Sequence, residues 1–271
     1  MKKIPSILID KSWLDGTNQQ IVQNLGDKYN VVIPDCLFYE IMTDEKKDPK
    51  ILLSKLALIK KSIISTEGLG YYLRKEIDER SPCENIFAPK LLKILEWYLE
   101  SNNTPSQKIL KRIEGAKKNR EEELSKDFSA TIRFIADVFK DIDSSLENSS
   151  KDKMCGIIRE VIQDRTLIIK HLKVLSGNVI DDSICSSIDN NWIWYRFSQA
   201  MLAYSLDECR ANRVQSSSEV CKNIKHNLID MDYVVLATKC DGLACSDDLM
   251  KNVYLAMCPG KLILNRNQFY E

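Results

Sequence analysis

The sequence predicts an α/β protein with a central, mainly parallel sheet and a large all-helical insertion. Short apolar runs that end at charged or turn residues lie near both ends of the chain, as at 7–9 and 262–264, and such runs are typical of buried strands. Between them, apolar residues recur at helical spacing without a convincing strand. The expected organisation is one discontinuous core of residues 1–47 and 224–271, interrupted by a helical insertion of residues 48–223.

Composition excludes several classes of protein. The chain has 271 residues, 44% apolar and 29% charged, which is ordinary for a globular protein. Its 39 basic and 39 acidic residues cancel, so a nucleic-acid partner would have to bind to local patches. Nine scattered cysteines and only two histidines argue against a zinc site and indicate reduced thiols in a cytoplasmic protein. No apolar run approaches the ~20 residues that span a bilayer, so no membrane partner is expected.

Asp10 directly follows the first predicted strand. Ligands of open α/β sheets bind just beyond the carboxyl ends of strands, which makes Asp10 a candidate functional acid. An Asp in this position is also typical of a helix N-cap or a turn. The choice depends on which other acids the fold brings to the same edge.

A helix over residues 16–28 and a strand over 29–33, ended by Pro34, follow. Two strands joined by one helix indicate a parallel βαβ unit. The next predicted helix contains Glu40 among large apolar side chains. Burial of an unpaired carboxylate costs several kcal/mol, so Glu40 is expected either to meet a cation or to lie on a narrow polar edge.

The middle of the chain is predicted to be helical, with helix starts near Pro49, Pro89 and Pro105. The charged stretch 111–126 is typical of a solvated helix face, with nucleic-acid contact as the alternative. The aromatic residues of 191–210 have a spacing that favours a packed core over base stacking. Arg196 lies among them and is expected to need a carboxylate or phosphate partner.

The last part of the chain returns to α/β character. A helix with acids near its start contains Asp232, and strands are predicted at 243–245 and 261–265. Either Asp247 or Asp248 could be the acid that follows the first of these strands. The acids that can converge from separated parts of the chain are therefore Asp10, Glu40, Asp232 and Asp247, with Asp248 as the alternative to Asp247.

Four motifs together resemble the PIN family of nucleases. They are strand-Asp-x-Ser ending at Ser12, Pro-Asp-x-x-x-x-Glu at 34–40, Asp-x-x-x-x-Ala at 232–237 and Cys-Ser-Asp-Asp at 245–248. The match covers about residues 4–44 and 224–271. The chain departs from the family in Cys245, which stands where Thr or Ser is usual, and in a middle block far longer than that of small PIN toxins.

The resemblance implies a three-layer α/β/α fold whose acidic cluster holds Mg²⁺ or Mn²⁺ for cleavage of RNA, usually single-stranded. Carboxylates suit these ions because both prefer oxygen ligands, and a bound ion can activate water. Asp10 and Asp232 are expected to be direct ligands, while Glu40 and Asp247 hold metal-bound water or a second ion. Ser12 and Ser246 would support these acids by hydrogen bonds.

The expected function is a metal-dependent endoribonuclease, with a toxin or a defence effector as its suggested role. Two alternatives stay open: a PIN-like helical interaction protein without catalysis, and a flap-endonuclease-like DNA nuclease. The helical insertion is the expected surface for a homodimer or a partner protein.

Overall fold

A computed structural model describes residues 4–88, 106–138, 151–177, 179–210 and 225–269. The five strands in these ranges are β1 (Ser6–Ile9), β2 (Asn30–Ile33), β3 (Ile63–Ser65), β4 (Gly242–Ala244) and β5 (Leu262–Leu264). The helices of the first part are α1 (Lys11–Asp15), α2 (Gln19–Lys28), α3 (Asp35–Met42), α4 (Pro49–Ala57) and α5 (Leu69–Glu79). Those that follow are α6 (Gln107–Val138), α7 (Lys151–Gln163), α8 (Arg165–Leu175), α9 (Asp182–Ser187), α10 (Ile193–Arg210), α11 (Lys225–Ala237) and α12 (Asp248–Met257). Short 3₁₀ turns occur at Lys60–Ser62 and Arg266–Phe269.

All five strands form one parallel sheet in the order β3-β2-β1-β4-β5. The fold is therefore α/β, as predicted. β1 lies at the centre, where Leu8 pairs with Val32 of β2 and with Leu243 of β4. Strands from the two ends of the chain thus share one sheet.

The central strand is covered on both faces. Side chains alternate between the faces of a sheet, and all four residues of β1 are buried. Because the strands are parallel, their carboxyl ends lie at one edge. Asp10 follows β1 and Cys245 follows β4 at this edge. Ligands of open α/β sheets bind at the carboxyl ends of the strands, so a functional site is expected here.

The prediction that residues 48–223 are all helical was wrong at β3. Ile63, Ile64 and Ser65 pair in parallel with β2 and form one end of the sheet. Three residues are too few to show the alternation that identifies a strand, and the Leu-rich helix α4 precedes them. The predicted helix near Pro89 lies outside the described residues.

The helices of the middle block pack on one another and on the sheet-bearing part. α10 contacts α6, α7, α8 and α11, while α6 also contacts α3. The aromatic residues of 191–210 belong largely to this core, as predicted, since Tyr195, Phe197 and Tyr204 are buried. Within the described ranges, no helix combines the length and the hydropathy needed to cross a membrane.

Candidate active site

Asp10 is both a helix cap and a buried acid. One carboxylate oxygen accepts the Trp13 backbone N–H at 2.7 Å, and the other accepts the Ser12 hydroxyl at 2.7 Å. The side chain is only 3% exposed, and this burial raises the pKa of Asp10 to about 6, with further contributions from the charges of Glu40 and Asp247. Asp10 can therefore be a helix N-cap and a functional acid at the same time. The acids around it destabilise its charged form.

Glu40 reaches the same region from α3. The hydroxyl of Tyr233 on α11 donates a hydrogen bond to Glu40 Oε2. The charge of Glu40 contributes to the raised pKa values of both Asp10 and Asp230. Glu40 is thus a polar group on a largely apolar helix that faces other carboxylates.

Asp247 begins helix α12 and faces the cluster. Its side chain accepts the Met250 backbone N–H at 2.7 Å as the helix N-cap, and its charge raises the pKa of Asp10. Asp248 lies in the first turn of α12 and pairs with Lys251 at 3.3 Å. Of these two acids, Asp247 is therefore the one that acts on Asp10.

Helix α11 presents two acids to different neighbours. Successive residues of a helix are rotated by about 100°, so side chains two positions apart lie on nearly opposite faces. Burial is the largest cause that raises the pKa of Asp230 well above its ordinary value. The charges of Glu40, Asp247 and Asp10 raise it further. Asp230 also shares a helix face with Tyr233, the donor to Glu40. We define the four-acid cluster as Asp10, Glu40, Asp230 and Asp247.

Asp232, which was predicted to be a direct metal ligand, instead pairs with Arg120 of α6. Arg120 Nε donates to Asp232 Oδ2 at 3.0 Å and Nη2 donates to Oδ1 at 2.8 Å. Asp35 lies nearby: burial raises its pKa to about 7, and the charge of Asp232 raises it further.

The sequence offered one usable signal for Asp230, because Tyr233 and Asp230 have the i,i+3 spacing of one helix face.

The predicted supporting residues have different partners. Ser12 donates to Asp10, as described, whereas the Ser246 hydroxyl accepts from Arg266. Arg196 donates to the Met257 backbone carbonyl at 2.6 Å, the Asn190 carbonyl at 2.8 Å and the Gln199 side chain at 3.0 Å. Neutral oxygens thus take the place of the expected carboxylate or phosphate. One of them, the Met257 carbonyl, lies at the C-terminus of α12, where a helix carries partial negative charge.

One buried polar atom beside the cluster has no hydrogen-bond partner among the described residues. It is the hydroxyl of Tyr204 on α10, which is 2% exposed. Burial raises the pKa of Tyr204, and the largest charges acting on it are those of Asp230 and Asp247. Buried hydroxyls are normally bonded, so this atom marks a place where the site has an unfilled hydrogen bond.

The donor chemistry of the cluster fits an oxygen-preferring divalent ion. Its members are all carboxylates, and burial chiefly raises the pKa values of Asp10 and Asp230, with further contributions from the charges of the neighbouring acids. In the ranges that the structure describes, however, no three His, Cys, Asp or Glu side chains are already arranged to hold a metal ion. The acids interact through their charges without forming a closed coordination shell.

Comparisons of the chain with protein-family models, with curated proteins and with solved structures found no match.

Proposed function

We propose that this chain is a Mg²⁺- or Mn²⁺-dependent nuclease with a PIN-like, three-layer α/β/α core that cuts single-stranded RNA. The observation that supports this proposal best is the four-acid cluster at the carboxyl edge of a parallel sheet. Four separate elements supply its members, and Asp10, Glu40 and Asp247 each contribute to the raised pKa of Asp230. Clustered, perturbed acids are more frequent at functional sites than elsewhere.

Asp10, Asp230 and Asp247 would hold the ion, with Glu40 beside them. When bound, such an ion lowers the pKa of water and stabilises the charge that develops on a phosphate. Ser12 keeps the Asp10 carboxylate oriented through its 2.7 Å hydrogen bond, and Tyr233 orients Glu40. The free hydroxyl of Tyr204 is suited to hold a water molecule at the buried side of the cluster.

The proposal assigns Asp232 a structural role and gives its place in the cluster to Asp230. A carboxylate held by two hydrogen bonds from a guanidinium has little capacity left for a metal ion. A cytoplasmic location is part of the proposal, supported by the eight cysteines of the described ranges, which are all free thiols.

Cleavage assays test the proposal. Labelled single-stranded RNA, single-stranded DNA and duplex DNA are incubated with the wild type and with Asp10→Asn, with Mn²⁺, with Mg²⁺ or with EDTA. We expect RNA cleavage that requires metal and that Asp10→Asn abolishes, because Asn can still cap α1 but carries no charge. Cleavage of DNA alone would support the flap-endonuclease-like alternative. RNA cleavage in EDTA would refute metal dependence.

A second candidate, a PIN-like interaction protein without catalysis, is favoured by two observations. The described residues contain no ready-made group of metal ligands, and Glu40 and Asp10 already accept hydrogen bonds from Tyr233 and Ser12. Melting curves separate this candidate from the nuclease. A nuclease should be stabilised by about 2.7 kcal/mol when Mn²⁺ is at a hundred times its dissociation constant, whereas a degenerate site should show no shift.

A further inference from the structure

The guanidinium of Arg266 bridges the two turns that carry Asp10 and Asp247. Arg266 Nη2 donates to the Ser12 backbone carbonyl at 3.0 Å and to the Ser246 hydroxyl, while Nη1 donates to the Gly16 carbonyl at 3.4 Å. Ser12 is also the hydroxyl donor to Asp10, and Ser246 immediately precedes Asp247. Arg266 thus lies at the border of the four-acid cluster.

The positive charge of Arg266 has no anionic partner in the described part of the chain. Its three acceptors are uncharged oxygens, and no carboxylate there forms an ion pair with it. Lys55 adds a second cation nearby, with its ammonium bonded to the carbonyls of Leu14 and Asp15 at 2.8 and 3.0 Å. Arginine binds phosphate through a planar fork of donors, so a half-buried arginine with neutral partners is well suited to an incoming phosphate.

Gly16 provides the space that the guanidinium occupies. A Cβ atom on Gly16 would lie 2.0 Å from Arg266 Nη1 and 2.3 Å from Cζ. The backbone of Gly16 has φ −81° and ψ 3°, which an alanine can also adopt. Substitution of Gly16 by alanine would therefore displace the guanidinium without removing its charge and without straining the backbone.

Building on the nuclease function proposed above, we propose that Arg266 binds a phosphate of single-stranded nucleic acid next to the phosphate that the four-acid cluster cleaves. The ligand class is a phosphodiester backbone. The neighbouring acids would repel such a strand unless a divalent ion or a cation at their border balanced the charge. Arg266 supplies that cation at a fixed position, and Lys55 lies close enough for the two positive charges to interact.

Binding of fluorescein-labelled oligouridine in EDTA, where the proposed cleavage cannot proceed, tests the proposal by anisotropy at several salt concentrations. The variants are Arg266→Gln, Arg266→Lys and Gly16→Ala. Arg80→Gln is the matched control for charge, since Arg80 already pairs with Asp181 at 2.7 Å. Gly70→Ala is the control for the added methyl group, because a Cβ at Gly70 meets nothing within 4 Å.

We expect Arg266→Gln and Gly16→Ala to weaken binding about ten-fold, the size of a lost charge-assisted hydrogen bond. Arg266→Gln should also reduce the slope of log Kd against log salt by about one, as the loss of one phosphate contact does. Arg266→Lys should keep the slope and lose part of the affinity. For Arg266→Gln in the presence of Mn²⁺, the KM for RNA should rise by a larger factor than kcat falls. Both controls should bind as the wild type does.

The outcomes separate this proposal from the nuclease assignment. If Arg266→Gln and Gly16→Ala bind normally while Asp10→Asn loses cleavage, the phosphate site is refuted and the nuclease stands. If both variants bind weakly but the wild type cuts no nucleic acid, the phosphate site stands and the nuclease assignment fails. A wild type that binds no oligouridine refutes the phosphate site. Melting temperatures show whether each variant is folded. If Arg266→Gln does not fold, the binding of oligouridine by Gly16→Ala tests the phosphate site instead.

Discussion

Arg120 joins helix α6 to helix α11 by holding both carboxylate oxygens of Asp232, at 3.0 and 2.8 Å. Asp232 is 3% exposed, so this pair is a buried tether between the middle block and the sheet-bearing part. Lys117, about one turn earlier on α6, donates to the Thr43 hydroxyl at 3.1 Å beyond the end of α3. Part of the charged stretch 111–126 is therefore an attachment surface and not a solvated face.

Asp230→Asn and Asp232→Asn should separate catalysis from stability. Asp230→Asn removes a charge that its surroundings disfavour, so cleavage should be lost while the melting temperature stays equal or rises. Asp232→Asn removes the buried carboxylate that accepts two hydrogen bonds from Arg120 and leaves only the exposed Glu123, at 3.4 Å, as its ion-pair partner among the described residues. The loss should cost about 3 kcal/mol of unfolding free energy, because the guanidinium itself stays buried. Urea unfolding and RNA cleavage measure the two effects. Loss of stability in Asp230→Asn with full cleavage would reverse the two roles.

Asp247→Asn and Asp248→Asn compare neighbouring acids at the start of α12. Asp247 acts on Asp10 through its charge, whereas Asp248 pairs with Lys251. We expect Asp247→Asn to lower kcat about a hundred-fold or more, by analogy with the loss of one stabilising group in an active site. Asp248→Asn should keep nearly full activity and change stability by less than about 0.5 kcal/mol, as for other exposed pairs. Equal losses in both variants would argue against the distinction.

Tyr204→Phe should make the protein more stable and less active. The hydroxyl is buried without a hydrogen-bond partner, and its removal should gain about 1 kcal/mol because such a group costs free energy to bury. If the hydroxyl holds a water molecule at the cluster, cleavage should fall and Mn²⁺ should stabilise the variant less than the wild type.

Tyr72→Phe is the matched control, since the Tyr72 hydroxyl donates to the Ile86 carbonyl at 2.5 Å and accepts from the Glu67 N–H at 2.8 Å. It should lose stability and keep activity. A Tyr204→Phe protein that melts below the wild type would show that the hydroxyl already has a partner.

Asp35→Asn should change the pH dependence of stability. The pKa of Asp35 is raised from its ordinary 3.8 to about 7 in the folded protein, so the folded state favours the protonated acid. Its stabilising contribution is complete below the unfolded pKa of 3.8 and is lost as pH rises through about 7. Asp35→Asn should therefore gain about 2 kcal/mol relative to the wild type between pH 5 and pH 8, after allowance for solvent screening.

Unfolding free energies at these pH values measure this difference. The control is Asp44→Asn: Lys11 lowers the pKa of Asp44 below its ordinary value. Asp44 is therefore charged in both the folded and the unfolded state across this pH range. Its substitution should leave the slope of unfolding free energy against pH unchanged. A flat difference for Asp35→Asn would show that Asp35 is already ionised at pH 5.

The sequence was sufficient for the strands whose apolar runs end in clear turn signals. β1, β2, β4 and β5 fall where they were predicted, whereas β3 was missed because three residues show no period. Asp10, Glu40 and Asp247 could be chosen from their positions after strands or within an apolar helix. Asp230 could not be preferred to Asp232 in this way, because the deciding fact is Arg120, which is 112 positions away in the chain.

The central position of β1 also determines the order in which the chain can fold. Ser6 donates its N–H to Asp241 Oδ2 at 2.7 Å across 235 positions of sequence, and β1 pairs with β4 on that side. During synthesis, β1 and β2 can pair early, but one long edge of β1 has no partner until almost the whole chain has emerged from the ribosome. Contacts of such high sequence separation slow folding and leave strand edges open to aggregation in the meantime. Expression of the protein should consequently depend on chaperones that protect a nascent chain.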